Sequence, residues 1–138
     1  MTKNEKALLL QDICSRLPHG IVVGTIDNDG TIPNFWMFDS YNSLTEDVRL
    51  TNCDVNADRL TYFGDVRPYL FPLSSMTEEQ KEEFNTHSLK LQLQVINDEI
   101  MYEKATEFEV DFYNKHHLDW RGLIPMGLAI DATNLNIY

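Results

Sequence analysis

Residues 20–38, GIVVGTIDNDGTIPNFWMF, constrain the fold more than any other stretch of the sequence. The apolar runs GIVVGTI and TIPNFWMF flank the turn sequence DNDG, in which Asp29 and Gly30 can adopt the positive φ of a tight hairpin turn. Pro33 has no N–H to donate, so part of the return run should lie at a sheet edge. The stretch predicts an antiparallel hairpin.

A helix near residues 5–17 is expected before the hairpin, with Asn4 as its N-cap and Pro18 and Gly20 ending it. One face of this helix should be apolar and should bury the thiol of Cys14. The residues of that face are Ala7, Leu10, Ile13, Cys14 and Leu17.

Between residues 39 and 66, apolar and polar residues alternate at two places, which predicts two short strands joined through CDVNAD. The alternating residues are Val48 and Leu50, then Leu60 and Tyr62. RPYLFPLSS at 67–75 contains two prolines, so we expect it to be extended and irregular.

The second half of the chain predicts a helix, a strand, a longer helix and a short final strand. Thr77 and Gln80 form a T-x-x-Q capping box, and the helix they start should end near Phe84. Alternating Leu89, Leu91, Leu93 and Val95 predict a strand over 88–96. A helix over roughly 100–119 should bury a stripe and end at Gly122, before a strand near 127–131. The stripe consists of Met101, Ala105, Phe108 and Phe112.

These elements predict the α+β class, with a small antiparallel or mixed sheet packed with two or three helices. A chain of 138 residues suits a single domain spanning 1–138. No stretch approaches the ~20 apolar residues of a membrane span. The first residues contain an apolar run too short for a signal peptide, so a cytoplasmic location is expected.

The net charge of −11 bears directly on the choice of partner. Such a chain should repel phosphate backbones and anionic lipids, so we expect neither direct nucleic-acid binding nor membrane binding. A solvated surface is the simplest interpretation. The alternative is an acidic surface that imitates DNA and inhibits a DNA-binding protein.

The segment DFYNKHHLDWRGLI resembles a metal or catalytic site at first inspection. A helix separates the adjacent side chains of His116 and His117 by about 100°, so they cannot share one ligand. We therefore predict a structural helix end. His116 should pack beside Phe112 and pair with Asp119, His117 should face solvent, and the indole of Trp120 should be buried.

Other patterns for chemistry are incomplete. Asp54, Asn56 and Asp58 match the start of a calcium-binding loop, but Arg59 replaces the required glycine. The sequence contains neither a G-x-S-x-G nucleophile motif nor a glycine-rich phosphate loop. We therefore assign no catalytic residue, no metal ligand and no cofactor.

Aromatic segments interrupted by proline, such as RPYLFPL, either cover a core or present a patch to a partner protein. Together with the histidine segment they supply the candidates for partner binding. These candidates are Tyr69, Phe71, His117, Trp120 and Arg121.

RPYLFPLSSMTEEQKEEF at 67–84 and DFYNKHHLDWRGLIPMGLAIDATNLNIY at 111–138 resemble segments of a group of small uncharacterised proteins. These are encoded by Bacteroides-type gut bacteria and by their phages and prophages. The resemblance implies a mobile-element setting and implies no activity, cofactor or catalytic residue. The expected function is that of a non-enzymatic accessory protein that binds an unknown protein partner. A DNA-mimic inhibitor and a small enzyme of unknown reaction are the alternatives, and the oligomeric state stays open.

Overall fold

The computed structural model describes residues 1–28, 30, 33–52, 54–94 and 99–138, with side chains for all of these except 87–94 and 99–106. The fold is α+β, as predicted. The helices are α1 (Lys3–Arg16), α2 (Glu78–Gln94) and α3 (Glu99–Lys115). The strands are β1 (Val22–Thr25), β2 (Trp36–Asn42), β3 (Asp47–Asn52), β4 (Ala57–Tyr62), β5 (Val66–Leu70) and β6 (Ile130–Asp131).

The six strands form one sheet in the order β4-β3-β2-β1-β5-β6, so the sheet is somewhat larger than expected. Neighbours from β4 to β5 are antiparallel, and β6 lies parallel to β5, which makes the sheet mixed. The predicted β1–β2 pairing is confirmed, with Val23 opposite Trp36. Asp29 of the expected turn lies outside the described residues, while Gly30 has a φ of 82°. The predicted pairing of β3 with β4 is also confirmed.

The core lies between one face of the sheet and α1. Alternation along β3 sends Val48 and Leu50 inward, where they are fully buried, and leaves Arg49 exposed. Leu9 and Ile13 of α1 belong to the same apolar cluster. Each such side chain contributes roughly 1.5–3 kcal/mol when it leaves water.

Helix α1 differs from its prediction in its cap and in its buried face. Thr2, not Asn4, is the N-cap, and it forms a capping box with Glu5. The buried face lies about 100° around the helix from the expected one, and the Cys14 thiol is exposed. The buried residues are Leu9, Asp12, Ile13 and Arg16. A mutual ion pair between Asp12 and Arg16 allows this face to be buried.

The expectation of an irregular 67–75 segment is wrong for its first half, because Pro68 lies within β5, between β1 and β6. The N–H of Ile26 donates to the Asp65 carbonyl, so these two residues form a hydrogen-bonded pair. Along β1 and β5, hydrogen-bonded pairs alternate with non-hydrogen-bonded pairs from that point. Pro68, opposite Val23, therefore occupies a non-hydrogen-bonded position. On its other side, pairing with β6 begins only at Tyr69. The missing N–H of Pro68 costs the sheet no bond.

The capping box at the start of α2 is confirmed: Gln80 N–H donates to the Thr77 hydroxyl, and Thr77 N–H donates to the Gln80 side chain. The helix then continues to Gln94, so the predicted strand is wrong over 88–94, and residues 95 and 96 lie outside the described ones. Leucine, lysine and glutamine favour helix, and no glycine or proline interrupts residues 78–94. The alternation of leucines with polar residues was therefore not sufficient to predict a strand in this segment.

Helix α3 ends four residues before the predicted limit of 119, at Lys115. Phe108 and Phe112 of the expected stripe lie side by side, with ring centroids 6.0 Å apart. The side chains of Met101 and Ala105 lie outside the described residues. The final strand β6 falls inside the predicted range 127–131.

Candidate partner-binding site

The C-terminus of α3 is closed by a Schellman motif with histidine where glycine is usual. Leu118 N–H donates to the Tyr113 carbonyl and His117 N–H to the Asn114 carbonyl. His117 has a φ of 55°, the left-handed conformation that ends the helix. Gly122, the predicted stop, also has a positive φ but lies in a later turn. Glycine was therefore the wrong marker for this helix end.

The residues after the motif run alongside the end of β5. Phe71 N–H donates to the His117 carbonyl and Asp119 N–H donates to the Phe71 carbonyl, each at 2.8 Å. Leu118 forms an isolated parallel bridge with Phe71. The two histidines therefore mark the point where the chain changes from helix to an extended segment that joins the sheet.

His117 does not face solvent, and that prediction is wrong. Its side chain is 8% exposed and stacks on Tyr138, with ring centroids 3.5 Å apart and planes at 12°. Nδ1 has no hydrogen-bond partner among the described residues. Burial, reinforced by the charge of Arg16, lowers the pKa of His117 to about 4. The left-handed backbone conformation of His117 directs its ring inward. The prediction from helical spacing assumed a right-handed helical residue at this position.

His116 packs against Phe112 as predicted, with ring centroids 4.6 Å apart. The predicted pairing of His116 with Asp119 is wrong. Nδ1 lies 3.3 Å from the Gln80 amide nitrogen and Nε2 lies 3.6 Å from a Glu83 oxygen. Because an amide nitrogen can only donate, Nδ1 accepts and the proton of the neutral ring is on Nε2. Burial lowers the pKa of His116, and Glu83 partly opposes that effect.

Asp119 is engaged elsewhere, which explains why it does not meet His116. Its two carboxylate oxygens accept the backbone N–H groups of Leu123 and Ile124 at 2.7 and 2.9 Å. The residue is 7% exposed. Asp119 therefore holds the turn that follows the histidine segment.

A buried ion pair, which the sequence reasoning missed, connects this segment to α1. Asp12 and Arg16 are completely buried and form two hydrogen bonds, the shorter of them 2.8 Å. Arg16 also donates to the Leu118 carbonyl at 2.8 Å, and the Arg121 Nε donates to Asp12 at 3.2 Å. The i,i+4 spacing of an aspartate and an arginine was the available sequence signal.

A row of stacked planar groups lies next to the Asp12–Arg16 ion pair. We call its four members the aromatic ladder: Phe84, Tyr113, Trp120 and Arg121. Phe84 stacks on Tyr113 at 5.7 Å and 22°, and Tyr113 stacks on Trp120 at 6.3 Å and 23°. The Arg121 guanidinium carbon lies 4.0 Å from the Trp120 ring centroid. All four residues are partly buried, and the Arg121 side chain is 15% exposed, so each keeps a minor part of its surface in contact with solvent. The predicted burial of Trp120 is therefore only partial.

Hydrogen bonds hold the ladder in place from beneath. Trp120 Nε1 donates to the Asn114 side chain at 3.1 Å, and Asn114 donates to the Ser15 carbonyl at 3.4 Å. Arg121 is held by Asp12. Burial, and then Glu109, raises the pKa of Tyr113, which keeps its hydroxyl neutral. The ladder is thus a pre-organised surface of aromatic and arginine side chains.

The five residues proposed from sequence fall into two groups. Trp120 and Arg121 lie in the ladder. Tyr69, Phe71 and His117 instead surround Tyr138, whose hydroxyl donates to the Tyr69 carbonyl at 2.8 Å and whose ring lies 6.0 Å from Phe71. Tyr69 is 6% exposed, and Phe71 is half-buried. Trp120 and Arg121, joined by Phe84 and Tyr113, therefore offer the accessible surface.

Within the described ranges, no three histidine, cysteine or acidic side chains lie together in a metal-binding arrangement. None of the helices that the structure describes has the length and apolar character needed to cross a bilayer. Comparison of the chain with protein-family models, with curated proteins and with solved structures gave no match. The function must therefore be inferred from the geometry of the site.

Proposed function

We propose that the protein is a non-enzymatic accessory protein of a phage or mobile element that binds another protein through the aromatic ladder, in the bacterial cytoplasm. The observation that carries this proposal is the partly exposed stack of Tyr113, Trp120 and Arg121. Tryptophan, tyrosine and arginine dominate the binding energy of protein interfaces. The mobile-element setting is proposed from the resemblance of the 67–84 and 111–138 segments to uncharacterised proteins of Bacteroides-type gut bacteria and of their phages and prophages.

The hydrogen bonds that hold the ladder support a binding role, because they lower the entropic cost of ordering its side chains when a partner binds. The two most prominent members, Trp120 and Arg121, are already held by Asn114 and Asp12. Side chains ordered before association lose less conformational freedom when a partner arrives. Arg121 also carries two guanidinium NH2 groups that take no part in its Nε bond to Asp12, and groups of this kind suit carboxylate or carbonyl acceptors.

Affinity capture from infected host cells, followed by mass spectrometry, tests the proposal. The bait is the full chain, compared with Trp120→Ala, Arg121→Ala and the control Leu44→Ala, which alters a leucine that is 93% exposed in the β2–β3 turn. Circular dichroism establishes that each bait is folded. A partner captured by the wild type and control should be reduced about tenfold or more by each ladder variant. Equal capture by all four baits, or no specific capture, contradicts the proposal.

A further inference from the structure

The outer edge of β4 carries backbone groups without a strand partner. Among the described residues, β4 pairs only with β3 and ends the sheet. Phe63 N–H donates to the Glu46 carbonyl, which fixes the alternation of hydrogen-bonded pairs along β3 and β4. By that alternation, Asp58, Leu60 and Tyr62 direct their N–H and C=O groups away from β3.

The side chains at these positions do not protect the edge. Leu60 is 69% exposed and Tyr62 is 43% exposed. Sheet edges are usually shielded by charged side chains, above all lysine, or by proline, a bulge or a covering element. Here the one exposed charge among the outward residues is Asp58, at one end of the strand. Residues 57–62, ADRLTY, contain neither lysine nor proline, and their register with β3 is continuous. The edge is therefore competent to pair with another strand.

We propose that a second copy of this chain occupies the edge, with β4 paired antiparallel to its counterpart about a two-fold axis through Leu60. Leu60 then lies opposite its own copy, and Asp58 lies opposite Tyr62 of the other chain. All outward N–H and C=O groups of these residues become satisfied in this register. The two sheets join into one continuous sheet, which is an isologous interface.

The alternative two-fold registers are worse, and this points to a single arrangement. An axis through Asp58 sets two carboxylates face to face and leaves Tyr62 unpaired. An axis through Tyr62 sets Leu60 opposite Gly64, which lies in the 3-10 turn after the strand. An axis through Arg59 or Thr61 pairs two of the three residues and sets the third opposite Asn56 or Gly64, outside the strand. Only the axis through Leu60 pairs Asp58, Leu60 and Tyr62 together. This self-complementarity favours a second copy over an unrelated strand.

Charge sets the conditions under which the dimer forms. Each chain carries a net charge of −11, so two copies repel each other at long range. Residues 57–62 carry one aspartate and one arginine, of which Arg59 is paired with Asp27, and the proposed register sets no two like charges directly opposite each other. Salt screens the long-range repulsion and leaves backbone pairing intact. Added salt should therefore strengthen the association.

Amide hydrogen exchange by nuclear magnetic resonance, measured with sedimentation equilibrium from low micromolar to millimolar protein, tests the proposal. The amides of Asp58, Leu60 and Tyr62 should become protected by about tenfold or more as the dimer fills. Those of Arg59 and Thr61 already bond to β3 and should change little. Leu60→Lys should abolish the concentration dependence, whereas Leu44→Lys changes the net charge equally and should retain it.

A chain that stays monomeric across this range at moderate salt overturns the proposal. So does a dimer in which Asp58, Leu60 and Tyr62 remain unprotected, because its interface then lies elsewhere. A dimer that persists in the folded Leu60→Lys variant has the same consequence. These results do not depend on the aromatic ladder, which lies on α2, α3 and the segment that follows α3.

Discussion

At the scale of single residues, the Asp12–Arg16 pair and His117 are polar groups that would be expected at the surface but are buried. In each case the contacts with neighbouring residues explain the burial. Asp12 and Arg16 are fully buried because they form an ion pair with each other and both reach the segment after α3, while Nη1 of Arg16 has no hydrogen-bond partner among the described residues. Removing one partner of such a pair strands a buried charge, at a cost of about 3–5 kcal/mol. The pair therefore joins α1 to the ladder, and its loss should disturb both.

His117 makes a pH-dependent contribution to stability whose sign follows from its burial. Its pKa is about 4 when folded and 6.5 when unfolded, so folding favours the neutral ring. The contribution is fully present above about pH 6.5 and is lost as the pH falls toward 4. Between pH 7 and 5 the free energy of unfolding should fall by about 2 kcal/mol through this residue.

Urea denaturation at the two pH values measures this effect. His117→Asn tolerates the left-handed backbone and does not titrate, so it should lose much less stability than the wild type between pH 7 and 5. His116→Gln serves as the control, because the pKa of His116 is lowered in the same direction. An equal loss in the wild type and in His117→Asn would show that other groups cause the pH dependence.

At the scale of elements, the start of α2 depends on one side chain. Thr77→Ala should lower the free energy of unfolding by about 1 kcal/mol, since it removes the hydroxyl that accepts the Gln80 N–H. Thr77→Ser keeps that acceptor and should cost little. Denaturant unfolding of both variants checks the prediction, and equal stability of Thr77→Ala and Thr77→Ser would contradict it.

At the scale of the whole molecule, net charge governs encounters with nucleic acid. A chain of −11 should not bind DNA or RNA appreciably at physiological salt, because few phosphates could be neutralised. Fluorescence-anisotropy titrations with duplex and single-stranded probes measure this. Binding at micromolar protein that weakens with salt would reveal a local basic patch that outweighs the total charge.

Local sequence was enough to determine the features that depend on near neighbours. The β1–β2 hairpin, the β3–β4 pair and the capping box at Thr77 all follow from residues within a few positions of one another. Together they determined the α+β class. The 88–94 segment and the start of α1 are exceptions. Alternating leucines also suit a helix that begins at a strong cap, and the Thr2–Glu5 capping box was not predicted although its residues lie three positions apart.

Tertiary structure decided the features whose partners lie far along the chain. Arg16 meets the Leu118 carbonyl across 102 positions, and Arg121 meets Asp12 across 109. Pro68 is tolerated within the sheet because the pairing of β1 and β6 around it requires no N–H there. The ring of His117 was turned inward by a left-handed residue and retained by Tyr138. Periodicity reports which face of an element is apolar, but only the assembled chain supplies the partners that allow a charge, a proline or a histidine to be buried.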